Sequence, residues 1–118
     1  MLKSVASSGG GSSGGSGIIS PSQIITVSGT SRTLSAGDNG TILYCTNAAA
    51  ITITCAAGLG AGFSVTIIQG GAGKVTIAAG GQTFVSYENR MSTMGQYAII
   101  TLISPVANTF VGAGNISP

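Results

Sequence analysis

Period-two alternation of apolar and small polar residues dominates this chain, and it is cleanest over residues 41–68, TILYCTNAAAITITCAAGLGAGFSVTII. Ile51, Ile53 and Cys55 fall on one face of an extended segment and Thr52 and Thr54 on the other, the signature of a strand with one buried side. Phe63, Val65 and Ile67 repeat the pattern with Ser64 and Thr66 opposite, and Gly58, Gly60 and Gly62 punctuate the connection between the two segments.

The same reading places a first strand at residues 23–27, after a turn at Ser20-Pro21-Ser22, and a short edge strand at 32–34. Residues 36–40 form a tight loop, closed by Asp38 and Asn39, whose side chains bond their own backbone. Residues 47–49 turn a hairpin between strands 41–46 and 50–55, and 69–73 turn a second between 65–68 and 74–78. A strand at 83–87 and an exposed loop at 88–94 follow. Residues 97–103, YAIITLI, are apolar on both faces, as expected of a strand inside a sandwich or one covered by a neighbouring subunit. Pro105 ends that strand, 109–111 form the last one, and 112–118 are a tail. No helix-period face is present. The expected fold is all-β: a single antiparallel, jelly-roll-like β-sandwich over residues 18–118, preceded by an extended Gly/Ser-rich N-terminal arm over 1–17.

Composition narrows the function. Of 118 residues only 5% are charged, against about 25% in a typical domain. Lys3, Arg32, Lys74 and Arg90 against Asp38 and Glu88 give a net charge of +2 with no basic cluster, which excludes a counterion-driven nucleic-acid binder. A surface so poor in charge does little to keep copies apart, so an oligomer or a component of an assembly is expected. The opening MLKSVASSGGGSSGG lacks the apolar run of a signal peptide, and no stretch reaches the roughly 20 apolar residues of a membrane span. Synthesis in the cytoplasm without export and no membrane partner are the corresponding expectations.

Candidate chemistry is sparse. The chain has no histidine, so the usual proton shuttle is missing. Asp38 and Glu88 are its two carboxylates, far apart in sequence, and offer neither a calcium cage nor a defined glycosidase pair. Cys45 and Cys55 have no histidine partner and fall short of a zinc shell. In the hairpin expected for 41–55, Cys45 lies opposite Ile51, and Cys55 is four residues further on, roughly 13 Å away at about 3.3 Å per residue. A disulfide needs Cα atoms within ~7 Å, so two buried free thiols are expected, although other strand pairings would change that distance. The glycines of 69–73 lack the following helix of a phosphate cradle. The expectation is a protein that is not an enzyme, with no catalytic, cofactor-binding or metal-ligating residue and no cofactor.

With these segments placed, ITITCAAGLGAGFSVTIIQGGAGKVTIAAGG, then MGQYAIITLI, then NTFVGAGNIS resemble small all-β structural modules of tailed phages, found as head decoration, head-fibre and tail-fibre proteins. The resemblance spans residues 23–116, and its most specific pieces are the GFSVTIIQGGAG block and the GQYA–TLI strand with the short aromatic-to-glycine strand after it. Members commonly carry a proline after the strand matching 51–54 and a tryptophan at the place of Phe110; here Cys55-Ala56-Ala57 and Phe110 stand instead. The resemblance implies a virion structural protein, made in the host cytoplasm: a capsid decoration or head-fibre protein acting as a homotrimer. The arm would attach it to the major capsid protein or another virion protein, with Leu2, Val5 and Ala6 as apolar anchors. The alternative is a tail-fibre or receptor-binding tip that recognises host-surface carbohydrate through Tyr87, Glu88, Asn89 and Arg90.

Overall fold

The computed structural model describes residues 23–117; the arm 1–17 with Leu2, Val5 and Ala6, and the first residues of the expected domain, 18–22, lie outside the described residues. The chain runs β1 (Ile24–Val27), β2 (Ser31–Thr33), a 3-10 turn at Ala36–Asp38, β3 (Thr41–Cys45), β4 (Ile51–Thr54), β5 (Ser64–Gln69), β6 (Val75–Ala78) and β7 (Thr83–Ser86). A second 3-10 turn at Tyr87–Asn89 leads to β8 (Ser92–Thr93), β9 (Ile99–Val106), β10 (Thr109–Gly114) and β11 (Ile116–Ser117). These form two sheets, one of six strands in the order β1-β3-β5-β9-β10-β7 and one of five in the order β11-β8-β6-β4-β2.

The protein is therefore all-β with two sheets, as its alternation requires, but it is not the antiparallel jelly-roll sandwich expected from sequence. Successive strands from β1 to β9 alternate between the sheets. Within the sheets β1, β3 and β5 pair in parallel, as do β2, β4 and β6. The arrangement is solenoid-like: each coil lays one strand in each sheet, and the register advances 24 residues from Thr41 to Val65 and again from Ile51 to Val75. Neither expected hairpin exists, because β3 and β4, and likewise β5 and β6, lie in opposite sheets. The short connections turn corners instead of reversing the chain.

Backbone stacking explains why. Thr46 N donates to Val27 O (3.0 Å), Gly70 N to Cys45 O (2.7 Å) and Gly73 N to Asn47 O (3.0 Å), so three successive corners lie on one another. The Asn47 side chain donates to Ser28 O (2.9 Å) below while accepting from Ala49 N (2.8 Å) in its own corner. A Cβ on Gly71 would stand 2.4 Å from Thr46 O and one on Gly73 1.9 Å from Ala49 O, so only glycine permits this approach.

The remaining strands close the body: β9 pairs antiparallel with β5 and β10, β8 antiparallel with β6 and β11, and β7 parallel with β10 at the sheet edge. Three boundaries differ from expectation. Pro105 does not end β9, which continues to Val106 and pairs there with Thr109 beside a register shift. The expected tail holds the end of β10 and β11, with Ile116 buried. The expected exposed loop 88–94 contains β8, whose Ser92 and Thr93 are both buried. Between the sheets sits one core that includes Leu43, Ile51, Ile53, Phe63, Val65, Ile67 and Leu102, with Phe63 and Phe110 edge to face at 6.1 Å and 80°. Full burial of each such side chain contributes about 1.5–3 kcal/mol.

Candidate functional site

The groups that could do chemistry are tied to one another. Arg32 lies on the edge strand β2, and its Nη2 donates to Asp38 Oδ1 at 2.6 Å, while Ser35 N donates to Asp38 Oδ2 at 3.1 Å. Asp38 is 1% exposed, so this carboxylate is a buried structural acceptor that fixes the turn before β3. The hydrogen bond to Asp38 raises the Arg32 guanidinium above its ordinary pKa against a smaller opposing effect of burial. Asn39, read beside Asp38 as turn-closing, accepts from Ser64 N at 3.0 Å and joins this turn to the next coil.

Cys45 and Cys55 are free and buried, though not because of the hairpin geometry expected for them, since their strands face each other from different sheets. Burial pushes both thiols up from 9 to about 11, with the Arg32 charge pulling Cys45 slightly the other way. At neutral pH they are protonated and inert as nucleophiles. Among the described residues no three His, Cys, Asp or Glu side chains gather where they could hold a metal ion.

Tyr87, Glu88, Asn89 and Arg90 are brought together by the connection from β7 to β8, which crosses from the edge of one sheet to the other. Glu88 and Asn89 both take left-handed backbone, with φ of 55° and 56°, and Arg90 N returns to Tyr87 O at 3.3 Å. Ser86 Oγ donates to Arg90 O, closing the loop at its base. Arg90 Nη2 lies 2.6 Å from Glu88 Oε1, so the two charges neutralise each other. Tyr87 stands clear of this pair at 77% exposure. The loop offers one aromatic face beside an ion pair whose buried Arg90 Nε has no hydrogen-bond partner.

A different surface escaped the sequence reading. The outward face of the six-stranded sheet carries exposed Ile103 (50%), Val85 (43%) and Val111 (38%) in one cross-strand row. Ile24, Tyr44 and Ile99 are exposed on the same face. The sequence signal was present in the doublets Ile24-Ile25, Ile67-Ile68 and Ile99-Ile100, because adjacent residues of a strand point to opposite faces. The both-sided apolarity of 97–103 is legible from sequence; that it extends over neighbouring strands becomes visible only once the pairing is known. A hollow of about 180 Å³ on this sheet, lined by Thr41, Ile42, Ser64 and Thr66 among others, holds no titratable side chain.

Compared with known proteins, the chain matches no family model, and no curated protein is significantly similar to it in sequence. Among the described residues no helix is long and apolar enough to cross a membrane.

Proposed function

We propose that this chain is a structural protein of a virion, a capsid decoration or head-fibre module that acts as a homotrimer or other symmetric homo-oligomer and is tethered through residues 1–17. The observation that carries this reading is that nearly all reactive groups are either buried or paired with each other. Arg32 is spent on Asp38, Glu88 on Arg90, and both thiols are buried and protonated, so what the fold presents to its surroundings is a rigid, nearly uncharged β surface. Such a body suits packing against protein. The resemblance to phage modules supplies the setting, and the major capsid protein or another virion protein is the partner it implies.

In this reading the Ser/Gly tract places no large side chain in the way of a narrow groove, and Leu2, Val5 and Ala6 are its apolar anchor. The test is co-sedimentation with undecorated capsids. The full chain is expected to bind, and protein lacking residues 1–17 is expected to stay folded and lose binding. Full-strength binding of the truncated protein would assign attachment to the β body and remove the tether from the proposal.

A second reading, the carbohydrate-binding tip, is favoured by the exposure of Tyr87 on a loop fixed at its base. It requires a sugar to stack on that ring, so Tyr87→Ala would abolish binding to host-surface glycans while leaving particle attachment intact.

A further inference from the structure

The two outward sheet faces differ in chemistry. Across the five-stranded sheet the register aligns Ser31, Thr52, Thr76, Ser92 and Ser117 in a single row of hydroxyls. Thr76 and Ser92 bond each other at 2.9 Å within it. Ser92 is buried there, while the other four residues of the row are exposed or half-buried. The outward face of the six-stranded sheet presents Ile24, Tyr44, Val85, Ile99, Ile103 and Val111, each at least 36% exposed, interspersed with Thr26, Thr66, Thr83 and Thr101. No Asp, Glu, Lys or Arg occurs anywhere in the six strands of that sheet. An exposed sheet surface ordinarily carries charges, lysine above all, that discourage association.

Resting on the structural role proposed above, we propose that the six-stranded sheet turns its outward face toward the symmetry axis of a homo-oligomer, where it packs against copies of the same chain. The five-stranded sheet, with its hydroxyl row, faces outward. Three considerations favour a second copy as the occupant. A charged partner would find nothing to pair with on this face and would desolvate its own charges, whereas two copies of an uncharged face bury no charge at all. The net charge of +2 per chain opposes self-association only weakly. The size also fits: six strands spaced about 4.8 Å apart and five residues tall at about 3.3 Å cover on the order of 500 Å² as a plane. Pleating raises the accessible area above that planar figure, toward the scale of roughly 800 Å² per partner in a standard interface.

Sedimentation velocity on the full chain, from about 1 to 100 µM, tests the proposal. Wild-type protein is expected to sediment as an oligomer. Ile99→Lys/Ile103→Lys places two cations on the exposed side of one strand and is expected to weaken association at least 100-fold while the circular dichroism spectrum stays that of wild type. Thr52→Lys, on the hydroxyl face, is expected to leave the oligomer intact. Should the lysine pair fail to fold, Ile99→Thr/Ile103→Thr, with the hydroxyl side chains that neighbouring positions already carry, is expected to weaken association about tenfold. A monomeric wild type at 100 µM overturns the interface, as does an oligomer unchanged by the substitutions on β9 or equally disrupted by Thr52→Lys. The wider structural role is judged separately by capsid co-sedimentation, so an oligomer that ignores capsids refutes that role and leaves the interface standing.

Discussion

Thr93 offers a sharp test of how the two sheets are held together. Its side chain is fully buried, and its hydroxyl donates to Gln69 Oε1 from the facing sheet while accepting from Val75 N at 2.9 Å. Gln69, itself 2% exposed, turns its Nε2 to Gly71 O at 3.2 Å, so one hydroxyl links β8, β6, the end of β5 and the corner that follows it. Thr93→Val keeps the shape and removes the hydroxyl. It strands the Val75 N–H and the Gln69 carbonyl, and at about 1–3 kcal/mol for each unsatisfied buried group the cost is about 2–6 kcal/mol. Thr93→Ser keeps the hydroxyl and deletes one methyl, worth about 1 kcal/mol. Urea unfolding followed by far-ultraviolet circular dichroism is expected to show a lowered midpoint with unchanged slope for Thr93→Val. At roughly 4–8 °C per kcal/mol, its Tm is expected to fall by at least about 8 °C. Equal stability of the valine variant and wild type, or a serine variant as unstable as the valine one, would refute the role assigned to the hydroxyl.

Gly73→Ala is expected to cost at least about 2 kcal/mol, because its Cβ would press on Ala49 O, whereas Gly29→Ala, where nothing lies within 4 Å, is expected to be neutral; comparing the two by thermal denaturation isolates corner stacking. Both thiols have a folded pKa of about 11, above their ordinary 9, so the stability they contribute is complete below pH 9 and is lost as pH rises toward 11. Urea titrations between pH 8 and 11 are expected to show that decline, and Cys45→Ala/Cys55→Ala is expected to flatten it.

What was legible in the sequence was the face each residue takes. Alternation put Ile51, Ile53 and Cys55 inward, and all three are at most 1% exposed. Most strand boundaries follow from the same signal. It carries no information about which strand lies alongside, since a connection such as 46–50 reverses a hairpin or turns a corner with the same residues. The deciding contacts, Gly71 on Thr46 and Gly73 on Ala49, join residues more than 20 positions apart and have no local signature. Thr93 was hidden for a related reason: a polar residue in a polar stretch reads as solvated, whereas here its hydroxyl meets buried Gln69 of the facing sheet. The loop Tyr87–Asn89 was recognisable as exposed from its charges, but the pairing of Glu88 with Arg90, which leaves Tyr87 as its free group, required coordinates.

The placement of β7 has a consequence for how the chain matures on the ribosome. Strands from β3 to β6, and then β8 and β9, each emerge to find a ladder partner already synthesised. β7 does not: it sits at the far edge of its sheet, and its neighbour there is β10, paired from Thr83↔Thr109 to Gly112↔Ser86. Phe84, whose ring lies over Gly112, likewise waits for a surface not yet made. The nascent protein must therefore carry an unpaired strand and an uncovered aromatic ring until residues 109–112 have left the exit tunnel. The parallel coils need only strands already made, whereas completion of the larger sheet waits for β10.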